Sequence, residues 1–299
     1  MLTYDAVIIG AGPAGLACAI ELSKKHVSCL VLEAESDVTG TVCGDGVSAA
    51  SIGLLKDLGI DAERLGGKKV YFKKEYRDDR ITKRSFSELF GISYELGISR
   101  DILNRSLLET ALGHNVPVSF GTLCRGIEKD AGGMYVIDGR YRCRYPVLAC
   151  GVQGGIRFGL LEAQGLPAGI SARVAGDCAL EDDAFHYFFS DEYGDRYAWA
   201  FPVGDHLWNI GVWNTDRKKD LKRLYDEAER RFFGSGPVVY DRKPLGRIVG
   251  AGVLKKPAAP GIFVIGDCAL KVDPVSGEGI RAALEDGIRT AAEIGELMK

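Results

Sequence analysis

A glycine-rich segment near the start of the chain restricts its fold more than any other feature. Residues 10–15 have the pattern G-x-G-x-x-G and directly follow the apolar run 6–9, which is typical of a buried parallel strand. An apolar stretch with helical spacing comes next, and a second strand-like run, residues 27–32, ends at Glu33. This order predicts a β-α-β unit whose turn is of the kind that approaches the phosphates of a dinucleotide.

We expect each glycine of this turn to have a different structural role. Gly10 allows the tight turn, Gly12 lets the backbone approach a pyrophosphate, and Gly15 lets helix and sheet pack closely. The positive end of the following helix would face the phosphates, and Glu33 would accept hydrogen bonds from the adenosine ribose. The predicted site for this part of the ligand consists of Gly10, Gly12, Pro13, Ala14, Gly15, Glu33 and Ala34.

The opposite end of the chain carries a second ligand signature. The apolar run 262–265 precedes Gly266-Asp267, and the glycine-bearing segment 273–280 opens the last predicted helix, residues 277–298. A helix start of this type offers N–H groups to an anion, and Asp267 at a strand end would hydrogen-bond a polyol. A dinucleotide that reaches both chain ends, with a ribityl chain beside a carboxylate, indicates FAD rather than NAD.

Composition excludes several classes of protein. The 299 residues include 38 Lys+Arg and 41 Asp+Glu, for a formal net charge of -3, which gives no general attraction to nucleic acid. The hydrophobic fraction of 46% is ordinary for a globular chain, and no apolar run approaches the roughly 18 residues of a transmembrane helix. The eight cysteines form no C-x-x-C pair, so we predict no metal site, and their scatter favours reduced thiols in the cytoplasm.

The middle of the chain differs from its ends. Residues 170–215 are strand-like and rich in aromatic side chains, whereas both ends alternate strand and helix. We therefore predict an α/β fold, in which a discontinuous Rossmann-type FAD-binding domain carries an inserted, mainly antiparallel β-sheet as substrate domain. The predicted FAD-binding domain comprises residues 1–70, 97–160 and 245–299, and the predicted substrate domain comprises residues 71–96 and 161–244. Helices between the motifs are predicted at residues 48–58, 99–112 and 217–233.

Together, the ligand motifs resemble the FAD-binding flavoprotein group that includes para-hydroxybenzoate hydroxylase. The resemblance is carried by Val7 to Gly15, Arg100 at the head of its predicted helix, Gly266-Asp267, and Pro274 with Gly277-x-Gly279. It implies that Arg100 lies along the cofactor and that Asp267 binds the ribityl chain. The further cofactor contacts that we predict are Leu123, Ile280 and, near the flavin ring, Pro274, Gly277 and Gly279.

Within this group, two further motifs resemble the geranylgeranyl reductase family of FAD-dependent oxidoreductases. They are Cys43-Gly44-Asp45-Gly46 and Tyr197-x-Trp199-x-Phe201-Pro202, and the similarity spans residues 4–285. The resemblance implies that the first motif lines the substrate side of the flavin, with Cys43 and Gly44 at the cofactor and Cys43 as candidate catalytic residue. The predicted substrate contacts are Asp45, Gly46, Tyr197, Trp199 and Phe201. A purely structural role is the alternative for Cys43, and core packing for the aromatic residues.

The sequence departs from this family in two places. Ala149-Cys150-Gly151 stands where relatives commonly carry Ala-Asp-Gly, a difference that bears on nicotinamide handling and on some contacts of the flavin domain. The family also usually continues past the last flavin helix, whereas Lys299 ends this chain. We therefore expect the usual C-terminal cap on the substrate cavity to be absent or supplied by a partner.

The resemblance implies hydride transfer from reduced flavin to a carbon–carbon double bond of an apolar, isoprenoid-like substrate. Two alternatives stay open. The first is a flavin monooxygenase acting on an aromatic or peptide substrate, or a halogenase, in which Lys68 or Lys69 would supply the lysine that halogenases need. The second is a flavoprotein that matures or modifies a protein partner.

The resemblance to the reductase family also leads to expectations about the electron donor and the cellular location of the protein. Electrons would come from NAD(P)H or from a reduced ferredoxin or flavodoxin as redox partner. The basic run Arg217-Lys218-Lys219 with Lys222-Arg223 is a solvated face or, alternatively, contacts an anionic membrane surface. We therefore expect a cytoplasmic protein without a nucleic acid partner, peripheral to the membrane if its substrate is a lipid.

Overall fold

The structure is a computed structural model that describes residues 1–216, 220–254 and 259–299. The first part of the predicted basic run, Arg217-Lys218-Lys219, lies outside the described residues. The described α-helices are α1 (Pro13–Lys24), α2 (Ala49–Asp57), α3 (Phe86–Phe90), α4 (Arg100–Gly113), α5 (Gly151–Arg157), α6 (Leu221–Phe233) and α7 (Ile280–Leu297), and short 3-10 helices form at Ala62–Leu65 and Gly266–Ala269.

Strands alternate with these helices in the first third of the chain and dominate its middle. In chain order they are β1 (Leu2–Ile9), β2 (Cys29–Leu32), β3 (Gly46–Val47), β4 (Lys68–Val70), β5 (Phe72–Arg77), β6 (Arg80–Ser85), β7 (Glu95–Gly97), β8 (Val118–Ser119), β9 (Ile127–Lys129), β10 (Tyr135–Ile137), β11 (Tyr141–Leu148), β12 (Ala168–Ala175), β13 (Ala184–Phe189), β14 (Tyr197–Gly204), β15 (Leu207–Asn214), β16 (Val239–Ile248) and β17 (Phe263–Val264).

Local capping explains where the helices begin. α1, α2 and α4 confirm the helices expected from the sequence, and Ser48 and Ser99 cap α2 and α4 with their side chains. α6 begins at Leu221, later than predicted, because Asp220 caps it by accepting hydrogen bonds from two backbone N–H groups. α7 begins at Ile280 rather than at residue 277, because Gly277 has a φ of +72° and still belongs to the preceding turn.

The first sheet is parallel where the two glycine-bearing chain ends meet. Its order is β8-β2-β1-β11-β10-β9, and β17 pairs in parallel with the end of β11. α1 and α7 pack so closely that a side chain at Gly287 would overlap the carbonyl oxygen of Ala14. Because parallel strands end at one edge, the segments after β1, β2, β11 and β17 lie together there, as expected for a ligand-binding edge.

The second sheet is mainly antiparallel, as predicted, with the order β16-β12-β15-β14-β13-β5-β6. Among its described strand pairs, β13 and β5 run parallel. The two faces of β14 differ sharply: Ala198 and Ala200 face the core under α6, whereas Tyr197, Trp199 and Phe201 face an aromatic cluster. Small residues on one face admit the helix, so the large rings collect on the other face.

A small third sheet has the strand order β3-β7-β4. It approaches β14 so closely that a side chain at Gly97 would overlap the carbonyl oxygen of Pro202. The second sheet is built from strands within residues 72–85 and 168–248. The exact bounds of the two predicted domains stay a prediction.

Candidate FAD and substrate site

The glycine turn after β1 forms an open cradle at the start of α1. Gly10 has a φ of +111°, and a side chain there would overlap the carbonyl oxygen of Ala149. A Cβ on Gly15 would overlap the carbonyl oxygen of Gly10. Gly12 differs, because its Cβ would meet no atom within 4 Å, and no side chain caps the helix that it precedes. The backbone is therefore close-packed behind the turn and open in front of it, where a pyrophosphate would lie.

Glu33 faces the same turn from the end of β2. Its Oε2 accepts a hydrogen bond from the N–H of Ala11 at 2.7 Å, and its Oε1 accepts one from the N–H of Glu35 at 3.0 Å. The N–H of Thr122 donates to the carbonyl of Glu33 at 2.7 Å, which brings the segment of Leu123 beside β2. Ala34 is exposed next to it. The ribose contact of Glu33 and the cofactor contacts of Ala34 and Leu123 stay predictions.

Asp267 and Arg100 are electrostatic neighbours at the centre of the site. Burial raises the pKa of Asp267, and the positive charge of Arg100 opposes that rise. The guanidinium of Arg100 is itself buried and donates to Oδ1 of Asn104 at 3.3 Å through Nη2. A carboxylate and a guanidinium beside the two glycine-bearing helix starts are a suitable donor and acceptor set for the polyol and phosphates of FAD.

The turn before α7 contacts the aromatic face of the second sheet. Asp273 holds this turn by accepting hydrogen bonds from the N–H groups of Val275 and Ser276 at 3.0 and 2.6 Å. The hydroxyl of Tyr197 donates to the carbonyl of Ser276 at 2.5 Å, and a Cβ on Gly277 would lie 3.0 Å from that hydroxyl oxygen. The segment predicted to lie near the flavin ring, which includes Pro274, Gly279 and Ile280, is therefore fixed against the sheet predicted to bind substrate.

The Cys-Gly-Asp-Gly motif lies against the same sheet. The carbonyl of Cys43 accepts hydrogen bonds from Oγ of Ser171 at 3.2 Å and from Nδ2 of Asn209 at 2.7 Å. A Cβ on Gly44 would lie 3.2 Å from the ring of Phe201. The thiol of Cys43 is half-buried and packs against the core of the first sheet. The catalytic role of Cys43 and the substrate contact of Gly46 stay predictions.

Asp45 is fully buried and already has protein partners. Its Oδ1 accepts a hydrogen bond from the N–H of Arg100 at 3.0 Å, and its Oδ2 accepts one from Asn209 at 2.6 Å. Nη1 of Arg173 lies 3.7 Å from Oδ2. Burial raises the pKa of Asp45, while the bond from Asn209 and the charge of Arg173 oppose the rise. Through these contacts Asp45 connects the motif to α4 and to the second sheet. Its contact with substrate stays a prediction.

The three aromatic residues of the second motif share one face of β14. Tyr197, Trp199 and Phe201 are 6–7% exposed, and the ring of Trp199 lies 6.2 and 6.3 Å from the other two. Nε1 of Trp199 donates to Oδ1 of Asn209 at 2.9 Å, so the indole has a polar partner although it is buried. The face is apolar, aromatic and adjacent to Gly44, which suits an apolar ligand.

A half-buried acid beside this face was missed by the sequence analysis. Burial raises the pKa of Glu95 to about 7, and the nearby carboxylate of Glu278 adds to the rise, while the N–H of Ala49 donates to it. Oε1 of Glu278 accepts a hydrogen bond from Oγ of Ser48 at 2.5 Å. Tyr187, which stacks edge-on against Tyr197, is near both carboxylates. No motif marks Glu95, because its neighbours come from distant segments.

Arg173 was missed for the same reason. It is buried on β12, where it ion-pairs with Asp101, with Asp241 at 2.6 Å and with Asp45 at 3.7 Å. A charged residue inside the otherwise buried run of β12 was the available signal. The group joins the second sheet to α4 and to the Cys-Gly-Asp-Gly motif.

The lysines considered for a halogenase have surface partners. Nζ of Lys68 pairs with Asp182 at 2.5 Å, and Nζ of Lys69 pairs with Glu63 at 2.8 Å. Within the described ranges, no set of three or more His, Cys, Asp or Glu side chains is arranged to hold a metal ion. Among the helices in those ranges, none has the length and apolar character needed to cross a membrane.

Comparisons with known proteins show which family the chain is similar to. A family model described as "FAD binding domain" matches residues 3–157, slightly more than half of the chain. A digeranylgeranylglycerophospholipid reductase 1 of Methanococcoides burtonii is 26% identical over 307 residues, which cover 95% of this chain and 72% of that protein. A digeranylgeranylglycerophospholipid reductase of Thermoplasma acidophilum is 24% identical over 320 residues, which cover 97% of this chain and 78% of that protein.

Solved structures share the fold. A geranylgeranyl bacteriochlorophyll reductase-like protein from Thermoplasma acidophilum matches with a TM-score of 0.84 and 22% identity, over 100% of this chain and 79% of that one. A flavin-dependent brominase matches with a TM-score of 0.79 and 21% identity, over 99% of this chain and 79% of that one. The resemblance to the geranylgeranyl reductase family is confirmed by the sequence relatives. The chain belongs to the FAD binding domain family and is an FAD-dependent oxidoreductase.

Proposed function

We propose that this enzyme reduces carbon–carbon double bonds of an isoprenoid lipid. The observation that carries the proposal is the position of the Cys-Gly-Asp-Gly motif, which Asn209 holds between the FAD segments and the aromatic face of β14. The names of the sequence relatives support the same substrate class. When bound, FAD supplies the hydride.

The chain's own residues would position the substrate and exclude water. Tyr197, Trp199 and Phe201 offer a rigid apolar wall whose polar atoms are already hydrogen-bonded, so an isoprenoid chain would displace little bound water there. Gly44 keeps that wall close to the motif, since a Cβ would crowd the Phe201 ring. Cys43 would contact the reacting part of the substrate.

Glu95 is the group that we propose to hold the second hydrogen as a proton. A pKa of about 7 keeps its carboxyl partly protonated at neutral pH, which suits a general acid. Its proximity to Tyr187 connects it to the aromatic face. Reduction of one double bond would then consume one hydride and one proton.

The electron donor and the membrane contact complete the proposal. We propose that electrons reach the flavin from NAD(P)H or from a reduced ferredoxin or flavodoxin. A lipid substrate would bring the protein to an anionic surface through the basic run that includes Lys222 and Arg223. Both side chains also pair with acidic residues of α6, which reduces the charge that they offer.

The test is a single-turnover experiment without oxygen. The FAD-loaded protein is reduced with dithionite and mixed with a geranylgeranylated glycerophospholipid in detergent, while flavin absorbance is followed. Reoxidation of the flavin with a gain of two hydrogens in the lipid for each flavin reoxidised, measured by mass spectrometry, supports the proposal. Consumption of O2 with stoichiometric hydroxylation of an aromatic or peptide substrate supports a monooxygenase instead. Co-purification with a single protein that becomes modified supports a maturation role.

A matched pair of tryptophan variants tests the assigned face. Trp199 faces the motif, whereas Trp208 faces the core under α6. Trp199→Phe should slow the single turnover or raise the KM for the lipid. Trp208→Phe should leave both unchanged. Equal effects of the two variants would exclude the aromatic face of β14 as the substrate wall.

A further inference from the structure

Two cysteine thiols meet at the edge of the first sheet where FAD would bind. The Sγ atoms of Cys150 and Cys268 lie 3.7 Å apart. Leu148 and Val264 are register partners in the parallel pair β11–β17, so the chain segments that leave these strands stay side by side. Residues separated by more than a hundred positions are therefore held in contact by the sheet itself.

Each cysteine is attached to a different FAD segment. The Cα of Cys150 lies 3.0 Å from the position of a Cβ on Gly10, so its backbone abuts the glycine turn. Cys268 directly follows Asp267, in the 3-10 helix Gly266–Ala269. A bond between the two sulfurs would therefore join the predicted pyrophosphate segment covalently to the predicted ribityl segment.

The surroundings allow one of the two thiols to react first. Cys150 is half-buried, whereas Cys268 is fully buried. A Cβ on Gly154 would overlap the Sγ of Cys150, so this glycine leaves the space that the thiol occupies. The hydrogen bond from the Cys268 thiol holds the pKa of Cys150 below its ordinary value, with a further contribution from Arg157, although burial opposes it. Cys150 therefore has more thiolate character than an ordinary buried cysteine.

We propose that Cys150 and Cys268 form a reversible disulfide that weakens the binding of FAD. A disulfide requires a sulfur separation of about 2.05 Å, so closing the bond draws the two segments together from the present 3.7 Å. That movement pulls Asp267 and the glycine turn away from the geometry that suits the cofactor. The fraction of protein with bound FAD would then depend on whether the two cysteines are reduced or joined in a disulfide.

The reaction balances with a low-molecular-weight disulfide as oxidant. The thiolate of Cys150 attacks one sulfur of oxidised glutathione, and one glutathione thiolate leaves. The thiolate of Cys268 then attacks Sγ of Cys150, and the second glutathione thiolate leaves. The two cysteines lose two protons and two electrons in total, and the reagent leaves as two reduced thiols once those protons are taken up.

To test this proposal, FAD-loaded protein is incubated with oxidised glutathione, and two properties are measured. The first is which cysteines are joined: the tryptic peptides spanning residues 145–157 and 256–271 each contain a single cysteine, so their cross-linked mass identifies the bond. The second is how much FAD the protein retains on gel filtration and what its Kd is on titration. Neither readout uses a lipid substrate, so failure of the proposed function would leave this result unaffected.

Variants separate this disulfide from other thiol reactions. Cys150→Ser and Cys268→Ser keep Cys43, so loss of FAD through modification at Cys43 would persist in both. Cys178→Ser removes a half-buried cysteine that packs with the core of the second sheet and should behave as the wild type. The buried pair Cys18 and Cys29 is an internal control, since burial raises the pKa of Cys29 to about 12 and should keep it unreactive.

The expected result is a cross-link between peptides 145–157 and 256–271, reversed by dithiothreitol, with a Kd for FAD about tenfold higher, comparable to the loss of one hydrogen bond to a charged group. Both single variants should lack the cross-link and the change in Kd. Absence of the cross-link in the wild type, or a cross-link with an unchanged Kd, would overturn the proposal.

Discussion

The side-chain amide of Asn209 donates a hydrogen bond to the buried carboxylate of Asp45 at 2.6 Å. The same amide donates to the carbonyl of Cys43 at 2.7 Å, and its oxygen accepts from the indole of Trp199 at 2.9 Å. One residue of β15 therefore joins the Cys-Gly-Asp-Gly motif to the aromatic motif. The two motifs are about 150 positions apart in the sequence and act as one unit in the structure.

Removal of this amide should destabilise the protein strongly. Asn209→Ala leaves the indole N–H of Trp199 without a partner and removes one partner each from the Asp45 carboxylate and the Cys43 carbonyl, so we expect a loss of about 3 kcal/mol in the free energy of unfolding. Urea unfolding of the FAD-free wild type and variant measures this difference in unfolding free energy. Asn214→Ala is the matched control on the same strand, because its side chain makes one long bond, at 3.5 Å, to the carbonyl of Tyr193. Equal losses in the two variants would contradict the central role of Asn209.

Arg173 should be a second strong contributor to stability. Its guanidinium is buried and pairs with Asp45, Asp101 and Asp241, so Arg173→Met leaves the carboxylates of Asp45 and Asp101 with Arg242 as a more distant positive charge. We expect a loss of about 3–5 kcal/mol in unfolding free energy. Arg105→Met removes an exposed pair with Asp37 and should cost less than about 1 kcal/mol. A small effect at Arg173 would show that the three carboxylates are protonated or hydrated.

The first two glycines of the turn should respond differently to alanine. Gly10→Ala is strained by a φ of +111° and by overlap with Ala149, so we expect destabilisation of about 2 kcal/mol or more. Gly12→Ala finds open space, so the free energy of unfolding should change by less than about 1 kcal/mol. FAD titration should nevertheless show binding weakened at least about tenfold in Gly12→Ala, because the new methyl occupies the predicted pyrophosphate position. Normal FAD affinity in Gly12→Ala would place the phosphates elsewhere.

The raised pKa of Glu95 leads us to predict that the stability of the protein depends on pH in a specific way. Its pKa rises on folding from an ordinary 4.5 to about 7, so the folded state keeps the proton while the unfolded chain releases it. Its contribution to stability is therefore full below pH 4.5, falls between pH 4.5 and 7, and is lost above pH 7. Between these two pH values, the contribution of Glu95 to the free energy of unfolding falls by about 3 kcal/mol.

A neutral substitution should remove this dependence. Glu95→Gln should raise the unfolding free energy at pH 8 and change it little at pH 4.5. Glu109→Gln, at an exposed position of α4, should leave the pH profile unchanged. Urea unfolding of the FAD-free variants across this pH range measures both effects. A wild-type profile in Glu95→Gln would show that Glu95 ionises normally in the folded protein.

The sequence alone determined the parts of the fold that depend on short-range pattern. The order strand, glycine turn, helix, strand and acid predicted β1, α1, β2 and Glu33, because apolar runs, turn glycines and capping residues act within a few positions. The alternation of aromatic and small residues at 197–201 likewise follows from the two-residue period of a strand. These signals were sufficient for the α/β fold and for a dinucleotide site, and Gly266-Asp267 at the other chain end indicated FAD.

The tertiary structure alone decided which distant side chains meet. Asn209 contacts Asp45, Glu95 lies near Glu278, and Cys150 faces Cys268, although no pattern in the sequence relates the members of these pairs. Their proximity results from strand register and from the packing of the sheets, which bring segments together over separations that local propensity does not sense. Burial produced there also sets the pKa values of Asp45 and Glu95, since desolvation depends on the complete surroundings of a group and not on its neighbours in the chain.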